Sequence, residues 1–426
     1  MPRLVEAFFA LSRCTIFTAA EPRGYNSMLN TIVVGAGING VTAAIELKKR
    51  GHKVALIDPG PLPHPLAAST DISKAVRAAY GADEDYTRLA ERSIQLWRKW
   101  NQEFGVELYH EVHFLFLRQR PMQPGDFEYE SFELLKRTGH KVERIDSRVL
   151  RERFPAWNAK RYPDGFLDLE AGYAESGRVV AQLIEQAKLL GIELQEGSRF
   201  FRLDEHDGRV RGVVLDDRQF VAGDAVIMAV GAWTPYLLPF TKSFFRSTGH
   251  AVFHLKPRQR DLFLPERFPV FGADLSSTGF YGFPLAREGV VKIARHGPGR
   301  ELSPDSPERV VTPEEEKAMR EFLAETFPAL ADAPVVYSRI CFYCDTKDGD
   351  FWIAPDPERA GLIVAAGDSG HGFKFAPVLG ELIADVLEEK KNLLLDKFRW
   401  RPEVQPGGKK EAARFLPEES NRSDYR

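Results

Sequence analysis

Apolar and polar positions in the first third of the chain follow a strand–helix–strand pattern. Residues 31–34 form a short β-branched run, and a glycine-rich turn separates them from a segment with helical periodicity at 41–50. A second apolar run, 53–57, ends in Asp58. This order predicts a β–α–β unit, which is typical of nucleotide-binding sheets.

The alternation of strands and helices returns after residue 177. The pattern predicts helices over 179–190 and 378–389, and strands over 192–195, 224–230 and 362–366. Asp207 and Gly208 predict a hairpin turn.

The first glycine-rich turn has the pattern G-x-G-x-x-G. Gly35, Gly37 and Gly40 occupy the glycine positions, and Ile38 lies between them. Glycines allow the tight bend, the close approach of the backbone to a pyrophosphate and the close packing of helix on strand. N–H groups at the helix N-terminus then bind phosphate, and a carboxylate such as Asp58 accepts hydrogen bonds from ribose hydroxyls. The turn therefore predicts a dinucleotide site.

Two later segments favour FAD over NAD. The apolar run 225–230 ends in Gly231, and the run 362–366 is followed by a second glycine-rich turn that contains Asp368 and Gly372. A turn of this kind suits the ribityl chain and ring edge of a flavin, and nicotinamide enzymes usually need neither segment.

Two other stretches, 111–145 and 244–334, are richer in aromatic residues and alternating strands. We therefore predict an α/β, two-domain flavoprotein. A Rossmann-type FAD-binding domain is expected to comprise 29–110, 146–243 and 335–400, and the two aromatic stretches are expected to form an inserted antiparallel-sheet substrate domain.

Composition limits the remaining function classes. The 426 residues carry 58 basic and 61 acidic side chains, so the net charge of −3 gives no electrostatic indication of nucleic-acid binding. No apolar run reaches the roughly 18 residues that a membrane-spanning helix needs. Three cysteines are too few for a disulfide framework and favour an intracellular protein.

The two ends of the chain differ from the part between them. Residues 1–28 are expected to be a flexible extension, because Glu6 and Arg13 interrupt an apolar run that would make a poor secretory signal; a targeting peptide is the alternative. Residues 401–426 predict a disordered tail without a peroxisomal address. The expected location is cytoplasmic or peroxisomal.

Five segments carry a resemblance to a known family: 73–81, 281–284, Lys292 with His296, 341–343 and 369–375. Together they resemble the monomeric sarcosine oxidase family, which includes pipecolate, saccharopine and fructosyl amino acid oxidases. The likeness runs from about residue 29 to residue 402. It implies an FAD-dependent oxidase that converts the C–N bond of an N-substituted amino acid into an imine and reduces O₂ to H₂O₂.

The resemblance implies that Arg77 and Lys374 bind the substrate carboxylate. A guanidinium offers a planar fork for bidentate contact, and an ammonium offers a compact point charge. The alternative for Arg77 is a solvated charge on a helix face, and the alternative for Lys374 is a merely exposed lysine.

The resemblance also assigns roles near the flavin. Lys292 matches a lysine at which oxygen is reduced, and a positive charge there stabilises electron transfer to O₂; a lysine on an exposed edge strand is the alternative. His296 matches a histidine near the substrate amine, and Tyr281 is a candidate wall of the pocket. An ordinary exposed histidine and plain core packing are their respective alternatives. Lys74 is a further catalytic candidate. The remaining cofactor-binding candidates are Ser73, Lys74, Asp368, Gly372, Phe373 and Lys374.

Two positions indicate different substrates. Lys74 occupies a place where the sarcosine-oxidising branch has arginine, and Asp71 to Lys74 resembles the Asp-x-x-Lys of the fructosyl branch. In contrast, His296 occupies a place where the fructosyl branch has glutamate. Both branches share a secondary amine that bears a carboxylate, so the N-substituent stays open.

Cys341 and Cys344 form a C-x-x-C pair. A thioredoxin-like motif belongs at a helix N-terminus, whereas this pair continues the strand-like run 335–340, in which residues three apart face opposite sides. Half a zinc site is possible by spacing, but a second pair is missing. The resemblance implies instead that Cys341 is bonded through sulfur to the flavin 8α-methyl carbon; a buried thiol is the alternative, and Cys344 is expected to be unmodified.

The expected partners are a small-molecule amino acid and O₂, with no nucleic acid and no membrane, and the protein is expected to be a monomer. A fructosyl amino acid oxidase is the first alternative, and a flavin dehydrogenase with a quinone or carrier protein as acceptor is the further alternative within enzymes. A binding module without chemistry is a further alternative, although it would be expected to have lost Lys292, Arg77 or Lys374, which are all present.

Overall fold

The computed structural model of the protein describes residues 28–404. Its strands are β1 (Asn30–Val34), β2 (Lys53–Asp58), β3 (Lys74–Val76), β4 (Tyr109–His110), β5 (Phe114–Arg118), β6 (Val142–Asp146), β7 (Asp164–Asp168), β8 (Gly172–Ala174), β9 (Glu193–Glu196), β10 (Phe200–His206), β11 (Arg209–Leu215), β12 (Phe220–Ala222), β13 (Ala225–Met228), β14 (Phe245–Leu255), β15 (Val270–Ala273), β16 (Phe280–Phe283), β17 (Val291–Arg295), β18 (Arg300–Glu301), β19 (Val335–Thr346), β20 (Trp352–Pro355) and β21 (Leu362–Ala366). Its α-helices are α1 (Ile38–Lys49), α2 (Glu84–Phe104), α3 (Phe127–Arg137), α4 (Ser147–Arg153), α5 (Ser176–Leu189), α6 (Thr234–Leu237), α7 (Leu275–Thr278), α8 (Pro313–Thr326), α9 (Ala376–Leu387) and α10 (Leu393–Phe398).

A six-stranded sheet contains the predicted β–α–β unit. Its order is β20-β21-β13-β1-β2-β9, and every neighbouring pair is parallel except β20 with β21. Val33 packs in the cluster that includes α1, α5 and α9, whereas Ile32 and Val34 pack with the three-stranded sheet β10-β11-β12. Because successive side chains of a strand point to opposite faces, apolar residues at consecutive positions indicate a sheet covered on both sides.

Three predicted helices begin earlier than their apolar periodicity indicates. The helix expected at 41–50 begins at Ile38, the one expected at 179–190 begins at Ser176, and the one expected at 378–389 begins at Ala376. The first turn of each holds glycine, serine or proline next to few apolar residues, so the periodic signal starts one turn late.

A nine-stranded sheet forms the second layer. Its path is β18-β14-β17-β16-β15-β5-β7-β6, and β19 also pairs with β14. Its pairs are antiparallel except β15 with β5. An aromatic cluster that includes Trp157, Phe271 and Phe327 packs against this sheet together with α8. The α/β fold with an antiparallel second layer confirms the predicted fold class.

Two strands extend this sheet beyond the stretches that the sequence indicated. β7 and β19 pair with its other strands, although residues 146–243 and 335–400 were expected to belong to the FAD-binding domain. β7 has only five residues and begins and ends with aspartate, so its sequence gives little indication of a strand. The buried second half of β19 resembles a strand of a parallel sheet when only hydrophobicity is considered.

The expectation of disorder from residue 401 is wrong for Arg401. This side chain is buried and donates to Asp348 through Nε at 2.6 Å and Nη2 at 2.7 Å. Trp400 packs on Trp352 with 4.4 Å between ring centroids. The polar composition gave no sign of this bidentate partner, which lies far away in the sequence. The rest of the expected tail, 405–426, and residues 1–27 of the expected extension lie outside the described residues.

Candidate active site

The glycine turn between β1 and α1 is shaped so that side chains are excluded. Gly35 has φ +97°, and a Cβ atom there would lie 2.6 Å from the Ala229 carbonyl oxygen. A Cβ atom on Gly40 would lie 1.8 Å from the Gly35 carbonyl oxygen. At Gly37, by contrast, the nearest atom to a Cβ would be Ser69 Oγ at 3.5 Å. The turn is thus closed towards the sheet and more open at Gly37, where α1 begins.

Asp58 ties the end of β2 to this turn. Its Oδ2 accepts a hydrogen bond from the Ala36 N–H at 2.8 Å, and its Oδ1 accepts one from the Gly60 N–H at 3.0 Å. The carboxylate is buried beside the turn, at the carboxyl edge of the parallel sheet. This is the edge at which α/β sheets bind their ligands.

A second turn, between β21 and α9, lies at the same edge of the sheet. Burial raises the pKa of Asp368 to about 6. A Cβ atom on Gly372 would lie 2.5 Å from the Cβ of Asp368, so the turn is tight. Phe373 begins a 3₁₀ turn that ends at Phe375, and this turn carries Lys374 into the interior.

One cavity gathers most of the predicted catalytic and substrate-binding side chains. It has a volume of about 70 Å³. Its lining includes the predicted residues Lys74, Arg77, Tyr281, His296, Phe373 and Lys374, together with Phe114, Leu275, Phe283, Tyr343 and His371. Positions up to 300 residues apart in the sequence therefore converge on one small volume.

Arg77 and Lys374 are buried cations of this cavity, with 6% and 4% of their surface exposed. The Arg77 guanidinium donates to the Ala79 carbonyl oxygen and lies 4.8 Å from the centre of the Tyr80 ring. Lys374 Nζ donates to Tyr80 Oη at 2.8 Å and to the His371 carbonyl oxygen at 2.7 Å. These positions exclude a solvated helix face for Arg77 and an exposed surface for Lys374.

Lys292 lies in the interior next to the cavity. Its Nζ is 2.7 Å from Asp71 Oδ2, donates to the Ser73 carbonyl oxygen at 2.5 Å, and lies 4.7 Å from the centre of the Phe283 ring. β17 runs between β14 and β16, so Lys292 is not on an edge strand. Burial lowers the pKa of Lys292 to about 8, and the negative charge of Asp71 opposes this shift.

Asp71 links Lys292 to a histidine. Its Oδ1 lies 3.4 Å from His254 Nε2. Burial alone would raise the pKa of the Asp71 carboxyl, but attraction to Lys292, the bond to His254 and the charge of Lys74 outweigh it and hold the pKa well below its usual range. Asp71 is therefore ionised at neutral pH.

Lys74 is directed at Cys341, with 3.3 Å between Nζ and Sγ. Burial lowers the pKa of Lys74, but attraction to Cys341 and Asp71 outweighs it, so the net shift is upward. Cys341 packs with Val252 and Ala294, whereas Cys344 packs in the cluster on the opposite side of β19. Neither cysteine forms a disulfide within the described residues, in agreement with side chains that point to opposite faces of the strand.

His296 and Tyr281 form another part of the cavity wall. His296 is buried, and its Nδ1 lies 3.3 Å from Tyr343 Oη. Its backbone N–H donates to the Gly279 carbonyl oxygen at 2.7 Å, which fixes the residue just after β17. Burial raises the pKa of Tyr281, which keeps its phenol neutral. An ordinary exposed histidine is thereby excluded at position 296.

A family comparison agrees with this geometry: the model of the family described as FAD dependent oxidoreductase matches residues 30–386. The chain belongs to this family. Among curated proteins it is similar to the monomeric sarcosine oxidase of Bacillus sp. (strain B-0618), at 27% identity over 84% of this chain and 91% of that protein. It is also similar to the L-saccharopine oxidase of Schizosaccharomyces pombe, at 27% identity over 87% and 92% of the two chains.

Solved structures give the same result for the fold of this FAD dependent oxidoreductase. The fructosyl amine:oxygen oxidoreductase (Amadoriase I) of Aspergillus fumigatus superposes with a TM-score of 0.77 at 25% identity, covering 92% of this chain and 94% of that one. The chain is an enzyme of the FAD-dependent class, as the sequence predicted.

The residues at the sheet edge fit the FAD of this family. Asn39 Oδ1 and Ser73 Oγ are buried and lack a hydrogen-bond partner within residues 28–404. Gly231 has φ +51°, and a Cβ atom there would meet nothing within 4 Å. A bound dinucleotide needs backbone that it can approach closely and polar atoms with which it can form hydrogen bonds. Gly37 and Gly231 supply the former, and Asn39 Oδ1 and Ser73 Oγ supply the latter.

Five side chains of the site received no role from the sequence: Asp71, Tyr80, His254, Tyr343 and His371. Four of them lie within or beside segments that carried the family resemblance, so their position in the sequence could have indicated a place in the site. His254 gave none, because its contact with Asp71 joins β14 to a distant loop.

Within residues 28–404, no cluster of histidine, cysteine and carboxylate side chains could hold a metal ion. In the same part of the chain, no helix is long and apolar enough to cross a membrane.

Proposed function

We propose that the protein is an FAD-dependent amine oxidase that acts on an N-substituted amino acid and passes electrons to O₂. The observation that carries this proposal is the convergence of two buried cations, Arg77 and Lys374, with His296 in one cavity beside buried Lys292. Relatives named as sarcosine and saccharopine oxidases support the same class of substrate.

Arg77 and Lys374 bind the substrate carboxylate in this proposal. Desolvation penalises a buried cation, so an anion that reaches both side chains is strongly favoured over a neutral ligand. The guanidinium can make two parallel hydrogen bonds to the carboxylate, and the ammonium adds a point charge. The cavity thereby orients the α-carbon of the substrate.

FAD, when bound, would supply the acceptor for one hydride equivalent, that is two electrons and a proton, from the substrate carbon. The chain residues proposed to hold it are Gly35, Gly37, Ile38, Gly40, Asp58, Ser73, Lys74, Asp368, Gly372, Phe373 and Lys374. His296 accepts the proton that the substrate ammonium must lose before its C–N bond is oxidised. The imine product leaves the site and is hydrolysed by water.

Lys292 is proposed to serve the oxygen reaction. A protonated ammonium held in a dry environment stabilises negative charge that develops on O₂ as it is reduced to H₂O₂. Asp71 and the Ser73 carbonyl oxygen keep this ammonium in one position. This favours an oxidase over a dehydrogenase that uses a quinone or a carrier protein.

Cys341 is proposed to hold the cofactor covalently. The S–H bond of the thiol and one C–H bond of the flavin 8α-methyl group would break as the carbon–sulfur bond forms, and O₂ would take the two protons and two electrons released, as H₂O₂. The ammonium of Lys74 lies 3.3 Å from the Cys341 sulfur and fixes its position beside the cavity.

Two substrate groups compete for this site. His296 and the sarcosine oxidase relatives favour a small N-substituent, whereas the structural similarity to fructosyl amine oxidases and the Asp71–Lys74 motif favour a sugar-bearing amine. Within residues 28–404, the cavity lining contains His296 and no carboxylate that would suit sugar hydroxyls, so we propose the small substituent as the first choice.

An assay for H₂O₂ with sarcosine, L-pipecolate, saccharopine and fructosyl amino acids tests the proposal. We expect O₂-dependent H₂O₂ formation with at least one of these amines, and anaerobic bleaching of the flavin by the same compound. Bleaching without H₂O₂ would favour the dehydrogenase, and no bleaching by any of them would contradict the amine oxidase. A monomeric state and a cytoplasmic or peroxisomal location stay predictions.

A further inference from the structure

Tyr80 lies between the two cations of the carboxylate site. Its hydroxyl oxygen is 2.8 Å from Lys374 Nζ and 2.9 Å from His371 Nδ1. Its ring face lies 4.8 Å from the Arg77 guanidinium carbon. The residue is buried, and its ring stacks on Tyr86 with 4.9 Å between centroids. Tyr80 therefore contacts both Arg77 and Lys374, each through a different part of its side chain.

The contact between His371 and the Gly349 carbonyl oxygen determines which atoms donate and which accept in the hydrogen bonds of Tyr80. His371 Nε2 lies 3.0 Å from the Gly349 carbonyl oxygen, which can only accept. A neutral imidazole with its hydrogen on Nε2 has an acceptor at Nδ1. Tyr80 Oη–H then donates to Nδ1, and the lone pairs of Oη accept from Lys374 Nζ. Each contact has one donor and one acceptor in this arrangement.

The backbone of Lys374 is fixed from the other side. Its carbonyl oxygen accepts hydrogen bonds from Ser93 Oγ at 2.6 Å and from Trp97 Nε1 at 2.8 Å, both on α2. A lysine side chain has four rotatable bonds, so a fixed backbone alone leaves the ammonium mobile. The contacts of Nζ with Tyr80 and the His371 carbonyl oxygen select one orientation.

We propose that Tyr80 is a positioning residue for carboxylate binding, which directs the Lys374 ammonium through its hydroxyl and supports the Arg77 guanidinium through its ring. His371 orients the Tyr80 hydroxyl by accepting its hydrogen at Nδ1, so that the oxygen lone pairs face the Lys374 ammonium. This inference rests on the proposed function, because it assumes that the two cations bind a substrate carboxylate. It assigns the selectivity for anions to a residue that need not touch the anion.

Calorimetric titration of the flavin-loaded enzyme with propionate, and with propionamide as the neutral counterpart, separates positioning from general damage. We expect Tyr80→Phe to weaken propionate binding about tenfold and to leave propionamide binding unchanged, because the ring stays and only the hydroxyl is lost. The same variant should raise KM for the amine substrate by a similar factor and change the limiting rate of anaerobic flavin reduction by less than about twofold.

Tyr86→Phe is the matched control. Tyr86 belongs to the same aromatic stack, but its hydroxyl accepts from the Phe351 N–H at 3.2 Å and serves no cation of the site. We expect this variant to bind propionate as the unmodified protein does. Equal weakening in both variants would overturn the inference, because it would indicate a general effect of removing a buried phenol.

A second pair of variants keeps the test decisive if Tyr80→Phe folds poorly. His371→Asn places an amide oxygen near the position of Nδ1, so we expect propionate affinity within about threefold of the unmodified protein. His371→Leu has no acceptor, and we expect it to reproduce the selective tenfold loss. Unchanged propionate binding in His371→Leu would overturn the role of Tyr80 and leave the carboxylate site itself standing. If the unmodified protein does not prefer propionate over propionamide, the proposed carboxylate site fails, and this inference fails with it.

Discussion

Asp71 and Lys292 form an ion pair inside the protein, with 2.7 Å between Oδ2 and Nζ and no more than 2% of either side chain exposed. Isolated charges at such depth are costly, so each ion depends on the other. The pair also lies next to the Lys74–Cys341 contact, because Lys74 follows Asp71 by three residues.

The pH dependence of flavin reoxidation is expected to follow Lys292. Its pKa is about 8, and the protonated form is the one that stabilises reduced oxygen. Reoxidation should therefore be fast below pH 8 and slower above it. Asp71→Asn removes the charge that raises this pKa, so the decline should begin about 1–3 pH units lower. Stopped-flow reoxidation between about pH 4 and pH 10 measures both limits.

Asp217→Asn, at an exposed turn, serves as the control for that profile and should leave it unchanged. An identical pH limit in Asp71→Asn and the unmodified protein would show that Asp71 does not hold the proton on Lys292.

Replacement of Lys292 by methionine should separate the two halves of the reaction. Methionine keeps the volume of the side chain but loses the charge, so we expect reoxidation by O₂ to slow by about 10²–10³-fold. Anaerobic reduction by substrate should change far less, because Lys292 contacts Asp71 and Ser73 and does not line the cavity. Equal slowing of the two steps would remove Lys292 from its proposed role.

The covalent bond at Cys341 has a simple readout. After acid precipitation, the yellow colour should stay in the pellet of the unmodified protein and move to the supernatant for Cys341→Ser. Cys344→Ser is the control and should keep its colour in the pellet, because burial raises the pKa of the Cys344 thiol and the side chain lies on the other side of β19. Colour in the supernatant of the unmodified protein would contradict the covalent bond.

The glycine turn can be tested by a single methyl group. Gly40→Ala would place its Cβ 1.8 Å from the Gly35 carbonyl oxygen, so the turn must distort and FAD content should fall at least tenfold. Lys49→Ala, at the exposed end of the same helix, should retain full flavin. The ratio of absorbance at 450 and 280 nm in the purified proteins reports the difference. Full flavin content in Gly40→Ala would argue against binding at this turn.

Local patterns in the sequence were sufficient for the cofactor half of the fold. Gly35, Gly37, Gly40 and Asp58 are close in sequence, and each has a backbone reason for its identity, so the β–α–β unit could be recognised without any tertiary information. The strand at 362–366 was also bounded correctly, because its apolar run has clear turn residues on both sides.

The remaining features depend on contacts between distant positions. Asp71 and Lys292 form an ion pair only because β17 packs against the loop before β3, and no local sequence pattern predicts this tertiary contact. The same holds for Arg401 and Asp348. The sheet membership of β19 was missed for a related reason, since hydrophobicity indicates burial and does not identify the neighbouring strand.

β19 is a single strand of 12 residues that pairs with β14 along its length. Cys341 lies on it among residues of the large sheet, while Cys344 packs with Val34, Met228 and Val364 of the parallel sheet. β19 of the large sheet thus packs on the parallel sheet at Cys344, three residues from the position of Cys341. A cofactor attached to Cys341 would keep a constant distance from the cavity wall on β17, so catalytic geometry would survive thermal motion that displaces the surface loops.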